Sequence, residues 1–117
     1  MLNKKNRLKN KVAYYATYKQ NQSVSDGLFV LYVGKIKEEG EDTKFGFVVS
    51  KKVHKRAVKR NYIKRRAREV IRLILKDGYE FKVKSIIILA RIGAVDKSYR
   101  QIEESIKELI KKAEVFC

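Results

Sequence analysis

The residues of this chain that could do chemistry are cations and tyrosines. Lys51, Lys52, Lys55, Arg56, Lys59, Arg60, Lys64, Arg65, Arg66, Arg68 and Arg72 place eleven positive charges in residues 51–72, against one acid, Glu69. Guanidinium groups bind phosphate oxygens in pairs, and lysines act on them as point charges. Crowding so many cations together costs self-repulsion, which a polyanionic partner offsets. Residues 1–11 add five more basic groups and no acid, while the rest of the chain is close to balanced, so the net charge of +16 is local in origin. Nucleic acid is the partner this distribution fits. A membrane surface fits less well, because no strong apolar face of Trp, Phe and Leu accompanies the cations.

Tyr14 and Tyr18 are four residues apart, so on a helix they project from one side. Tyr32 lies in the apolar run Leu28–Val33. Aromatic rings at such positions either stack on unpaired bases or fill a core with their hydroxyls in water, and residue type alone leaves both readings open. The acids are poorly arranged for catalysis. A nuclease working through two metal ions needs converging carboxylates. Glu38, Glu39, Glu41 and Asp42 sit together on one polar loop and read as a solvated turn; Glu69, Asp77, Glu80 and Asp96 are scattered. The single histidine, His54, stands beside lysines without an obvious acid partner and reads as a turn residue. The single cysteine, Cys117, can form no internal disulfide, and no Cys/His cluster points to zinc. Binding is therefore expected from these side chains, and no bond-making or bond-breaking.

The elements that would position these groups follow from periodicity. Asn10 caps a helix to about Gln20. Leu28–Val33 and Lys44–Ser50 read as strands around a polar loop. From Ala57 to Lys76, Ile63, Ala67, Val70, Ile71 and Ile74 fall on one arc, and Asn61, Lys64, Arg65, Arg68 and Arg72 fall on the next. One side of that helix is thus buried while its neighbour is a ladder of cations. Gly78 ends it. Ser85–Arg91 is apolar on both faces, as for a central strand. Ser98 with Gln101 resembles a capping box and opens a last helix with Ile102, Ile106, Leu109, Ile110 and Ala113 on its apolar face. Phe29, Phe45, Phe47 and Phe81 are expected in the core, and Tyr15 in the core or at the surface. The order α-β-β-α-β-α predicts a single-domain α+β sandwich with a mixed sheet and a strand–helix–strand crossover. Residues 1–117 form one RNA-binding domain in this reading, with 1–10 as a basic tail expected to be flexible. No apolar run reaches the roughly 20 residues of a membrane helix, and no secretory signal opens the chain, so a cytoplasmic location is expected.

The run VSKKVHKRAVKRNYIKRRAREVIR at 49–72 resembles the signature of the bacterial ribonuclease P protein component: a Ser-Lys-Lys turn, then an arginine-asparagine-arginine helix. Arg7-Leu8 before a helix with aromatics, FVLY at 29–32, GFVVSKK at 46–52 and IIILAR at 86–91 extend the resemblance over nearly the whole chain. One departure is visible, since the second arginine of the triplet is Tyr62 here. The resemblance implies an α/β sandwich whose crossover is left-handed, against the general preference. It implies a protein subunit that binds ribonuclease P RNA and precursor tRNA, and assists removal of the 5′ leader. Magnesium ions held mainly by the RNA subunit would perform the cut, with no metal and no catalytic residue in the protein. Tyr14, Tyr18, Val30 and Tyr32 match the family's cleft for the single-stranded leader. Lys51, Lys52, Arg56, Lys59, Arg60, Asn61, Lys64, Arg65, Arg68 and Arg72 match its contacts to the catalytic RNA or its phosphates. No membrane and no obligate protein partner is implied. The alternative is a structural RNA-binding protein of another ribonucleoprotein, such as a ribosomal protein, with the same size and charge.

Overall fold

The structure is a computed structural model that describes residues 2–117. In chain order it contains α1 (Lys11–Lys19), β1 (Ser23–Ser25), β2 (Phe29–Val33), β3 (Lys44–Val48), α2 (Ala57–Lys76), β4 (Ser85–Ala90) and α3 (Tyr99–Ala113), with short 3-10 turns at Lys4–Asn6 and Ile92–Ala94. The strands form one mixed sheet in the order β1-β2-β4-β3. β2 pairs antiparallel with β1 and β4, whereas β3 and β4 run parallel and are joined through α2.

Register decides which residues share a face, because cross-strand partners point the same way. Phe29, Leu31 and Val33 stand opposite Ala90, Ile88 and Ile86, and Phe45 stands opposite Ile86 on the other side. This face packs against Ile63, Ala67, Val70, Ile71 and Ile74 of α2 and Ile102, Ile106, Leu109 and Ile110 of α3, all buried. Truncating a fully buried isoleucine here, such as Ile71 or Ile88, should cost about 2–5 kcal/mol through lost transfer and an unfilled cavity. α1 covers part of the opposite face, over Ile87, which is also fully buried. β4 is therefore enclosed on both sides, as its unbroken apolar run requires.

The helix ends carry the expected chemistry. Ser98 and Gln101 close a reciprocal capping box at the start of α3. The Asn10 side chain accepts from the Ala13 backbone N–H at 2.8 Å. Gly78, with φ +88°, takes the left-handed turn after α2. Of the four phenylalanines expected inside, Phe29, Phe45 and Phe81 are buried, while Phe47 stays half-buried at the core margin.

Two features differ from the sequence reading. The first is β1, whose Ser-Val-Ser carries little apolar pattern and exists through its backbone ladder with β2. The second is the N-terminal segment. Met1 lies outside the described residues, but residues 2–10 lie along the fold instead of trailing from it. Leu2 and Leu8 are buried. Asn6 donates from Nδ2 to the Thr43 carbonyl at 2.9 Å, and the Leu8 N–H donates to the Phe45 carbonyl at 2.9 Å. Arg7 bridges to Phe45, so the segment covers the free edge of β3, which would otherwise offer unpaired backbone groups.

Candidate RNA-binding surfaces

The sheet face under α1 is built in rows. Register places Ser23, Tyr32, Ile87 and Gly46 in one row across the four strands, and Ser25, Val30, Leu89 and Val48 in the next. The first row lies under α1. In the second, Val30, Leu89 and Val48 are only half-buried and leave an apolar floor open beside the helix. Thr17 anchors α1: it is buried, and its hydroxyl pairs with Ala13 O at 2.9 Å and with Ser85 Oγ at 2.5 Å. With Thr17 directed at β4, Tyr14 and Tyr18 flank it on the same side of the helix.

Tyr18 meets Tyr32 edge-to-face, ring centres 4.8 Å apart and planes at 79°, a geometry favoured by the ring quadrupoles. Tyr14 lies over Gly46, where a β-carbon would stand 2.6 Å from its hydroxyl oxygen. Burial pushes both phenols above their ordinary pKa. The Phe47 backbone and the Arg68 charge oppose this at Tyr14, whereas Tyr32 and Tyr14 add to it at Tyr18. Both rings are therefore neutral at physiological pH and bring no negative charge near a phosphate chain. Tyr15, at 67% exposure, points away from this cleft. The structure thus brings Tyr14, Tyr18, Val30 and Tyr32 together. It adds Leu89 and Val48, which sequence reasoning missed because only the register of β4 with its neighbours puts them beside Val30.

The cations of α2 are not equivalent. Arg60 donates to the His54 and Lys55 carbonyls at 3.0 and 2.7 Å and so pins the turn before the helix. The His54 Nδ1 accepts from the Arg56 N–H at 3.0 Å in the same turn. Lys59 pairs with Asp96 at 3.1 Å. Glu69 takes one side of the Arg72 fork, its Oε2 accepting from Nε at 3.0 Å and its Oε1 from Nη2 at 2.5 Å. That pairing holds the Glu69 carboxyl below the usual carboxylate range. Among the described residues, the side chains of Lys51, Lys52, Arg56, Asn61, Lys64, Arg65 and Arg68 have no hydrogen-bond or ion-pair partner within the protein.

Arg68 lies where the two surfaces approach each other. Its guanidinium carbon is 5.8 Å from the centre of the half-buried Phe47 ring, and its charge acts on the Tyr14 hydroxyl. A pocket of about 340 Å³ lies between α2 and the N-terminal segment, lined by Leu2, Arg7, Arg65, Arg68 and Glu69. Arg7 is held there by donating from Nε to the Leu2 carbonyl at 2.9 Å. Its neighbourhood with Arg65 and Arg68 was not legible from spacing, since it depends on the N-terminal segment folding back along β3.

The acids do not converge. Among the described residues, no three His, Cys, Asp or Glu side chains group as a metal site. Glu41 accepts from the Glu38 N–H and pairs with Lys84, and Asp42 pairs with Lys5, so the acidic loop is occupied with its own turn. No described helix is long and apolar enough to cross a membrane.

Comparison with known proteins agrees with the geometry. The sequence family described as Ribonuclease P matches residues 2–114. The chain is 34% identical over 110 residues to the ribonuclease P protein component of Symbiobacterium thermophilum, covering 92% of this chain and 90% of the relative. It is 38% identical over 113 residues to that of Clostridium acetobutylicum, covering 94% and 90%. Among solved structures, the Staphylococcus aureus RNase P protein superposes with a TM-score of 0.81 at 34% identity, covering 96% of this chain and 98% of that one. The Thermotoga maritima RNase P protein shares the fold, with a TM-score of 0.72 at 24% identity over 91% and 96%.

Proposed function

The chain belongs to the ribonuclease P protein family, and on that premise we propose that it is the protein subunit of a ribonucleoprotein that removes the 5′ leader from precursor tRNA in the cytoplasm. Its two surfaces divide the work. The aromatic cleft between α1 and the sheet takes the single-stranded leader. The unpaired cations of α2 and of the turn before it take the catalytic RNA.

The observation that carries the reading is the convergence of Tyr14, Tyr18 and Tyr32 on one open sheet face, within reach of Arg68 at the β3 edge. Stacking suits leaders of varied sequence, because every base has a π-face. Val30, Leu89 and Val48 supply an apolar floor for the base edges. On the other side, Lys64, Arg65 and Arg68 are free to take phosphates, while Arg60 and Arg72 first hold the turn and Glu69. This contact set carries affinity rather than base reading.

The chemical step falls to the RNA subunit in this reading, with magnesium ions bound there. Among the described residues the carboxylates are paired or scattered and no three group together, so they do not fit a resident magnesium. The protein raises the local concentration of substrate and positions it, which converts part of an intermolecular encounter into an intramolecular one.

Binding assays with precursor and mature tRNA, using protein assembled with ribonuclease P RNA, test the division. Preference for the leader-bearing RNA that vanishes in Tyr14→Ala/Tyr18→Ala supports it. Equal affinity of the parent protein for both RNAs would contradict it.

A further inference from the structure

Tyr62 is the one aromatic residue on α2, and its surroundings are unlike those of an incidental surface tyrosine. It lines a groove of about 440 Å³ between the first turns of α2 and the loop leading into α3. Val58 and Val95 form the apolar walls with it, and Lys97, Gln101 and the Lys59–Asp96 ion pair stand around the rim. Val58 is 73% exposed and Tyr62 39% exposed, so apolar surface is left open among the cations of the first turns of α2.

The ring is held in place. The Arg66 guanidinium carbon sits 3.7 Å from its centre, and Arg66 also donates to the Tyr62 hydroxyl. Arg66 covers one ring face, and Tyr62 keeps 39% exposure while it lines the groove. Arg66 Nε is buried without a partner, so this side chain gives up a hydrogen bond in the position that stacks on the ring. A cation over one face leaves the other as a rigid platform. At the rim, Gln101 Oε1 is used by the Ser98 cap, which leaves its amide N–H groups free among the described residues.

We infer that this groove is a slot for one unpaired nucleotide of ribonuclease P RNA, its base stacked on Tyr62 and its phosphate facing Lys97 at the rim. The inference rests on the reading of the protein as a ribonuclease P subunit, and deepens it by giving α2 a stacking contact beside its ionic ones. Three features select this occupant. Lys97 stands at the rim beside the Lys59–Asp96 pair, which leaves one cation over for a phosphate. An aromatic ring is held at a fixed angle by Arg66, and Gln101 offers donors to a base edge. The RNA subunit is chosen over the leader because the slot lies in the α2–α3 layer, with the sheet between it and the α1 cleft.

Stacking and phosphate binding leave different traces in a salt titration. A lost stack lowers affinity at every salt concentration without changing the slope, whereas a lost phosphate contact flattens it. The experiment measures the dissociation constant of ribonuclease P RNA across a salt series for the parent protein, Tyr62→Phe, Tyr62→Ala and Tyr62→Arg. Tyr62→Ala should weaken binding by roughly 5- to 150-fold, the range of a single base–aromatic stack, with the slope unchanged. Tyr62→Phe should stay within about twofold, and Tyr62→Arg should steepen the slope by roughly 0.7–0.9 for an added phosphate contact. Tyr62→Ala removes no charged group, so loss of charge cannot produce the expected weakening.

Binding of Tyr62→Ala within twofold of the parent at all salt concentrations overturns the slot while leaving the subunit reading intact. Weakening accompanied by a flatter slope also overturns it. Weakened binding to precursor tRNA in the absence of the RNA subunit would assign the slot to substrate and overturn the occupant. A parent protein that does not bind ribonuclease P RNA removes the subunit reading, and the slot with it.

Discussion

Tyr14 rests on the backbone of Gly46: a β-carbon at Gly46 would stand 2.6 Å from the Tyr14 hydroxyl oxygen and 2.7 Å from the ring carbon that bears it. The helix carries the ring, but the missing side chain on β3 lets it lie against the sheet. Gly46 has no positive φ, so its role is space and not backbone freedom.

Gly46→Ala should therefore leave the fold in place and disturb the cleft. The atoms in the way are the far end of a side chain that can swing, so unfolding free energy should change by less than about 1 kcal/mol. Affinity for leader-bearing tRNA should fall by about 1–3 kcal/mol, the worth of one stacking contact. A denaturant melt alongside tRNA binding checks both. Unchanged leader affinity would mean that Tyr14 does not stack on RNA.

Tyr18→Ala should weaken leader binding by a similar amount, with mature tRNA little affected, because it removes a ring and its edge-to-face support for Tyr32. Tyr15→Ala is the control, since that ring is exposed and outside the cleft. Equal losses from both variants would place the leader elsewhere.

The ionic side makes a prediction of opposite sign for two neighbours. Arg65→Ala and Arg68→Ala should each flatten the salt dependence of RNA-subunit binding by roughly 0.7–0.9 log units. Glu69→Gln should strengthen binding and steepen that dependence, because it releases the Arg72 fork. The Glu69 carboxyl is held below its ordinary pKa. The ion pair is therefore complete above the unfolded-state pKa and is lost as pH falls through the lower folded value. Acidifying toward that value should make the parent approach Glu69→Gln in RNA binding. A Glu69→Gln variant with the parent's salt slope would show that Arg72 takes no phosphate.

Sulfate or phosphate should raise the melting temperature, since Arg7, Arg65 and Arg68 around one pocket are repelling charges that an anion bridges. An anion bound only by the native state stabilises by about 2.7 kcal/mol at a hundred times its dissociation constant. Arg7→Ala with Arg65→Ala should blunt the response. A melting temperature indifferent to these anions would contradict the site.

Much of this was legible in the sequence where a side-chain period carries the information. The bounds of α2, its buried arc and the capping box of α3 all follow from spacing. β1 was not legible, because Ser-Val-Ser has almost no pattern and the strand is held by its pairing with β2. The N-terminal segment was misleading in a different way. Its lysines read as a tail, while Leu2, Asn6 and Leu8 between them carry the docking. The aromatic cleft was legible as residues but not as a surface, since Gly46, Val48 and Leu89 enter it only through register. Spacing also placed Arg72 among the available cations. Glu69 three residues earlier was the signal that its fork would be engaged.

The central claim is tested most directly by cleavage of precursor tRNA at low magnesium, with ribonuclease P RNA alone, with this protein alone, and with both. The account predicts weak cleavage by the RNA, none by the protein, and strong stimulation when they are combined, lost in Tyr14→Ala/Tyr18→Ala. Tight RNA binding without stimulation would contradict it and assign the chain to another ribonucleoprotein.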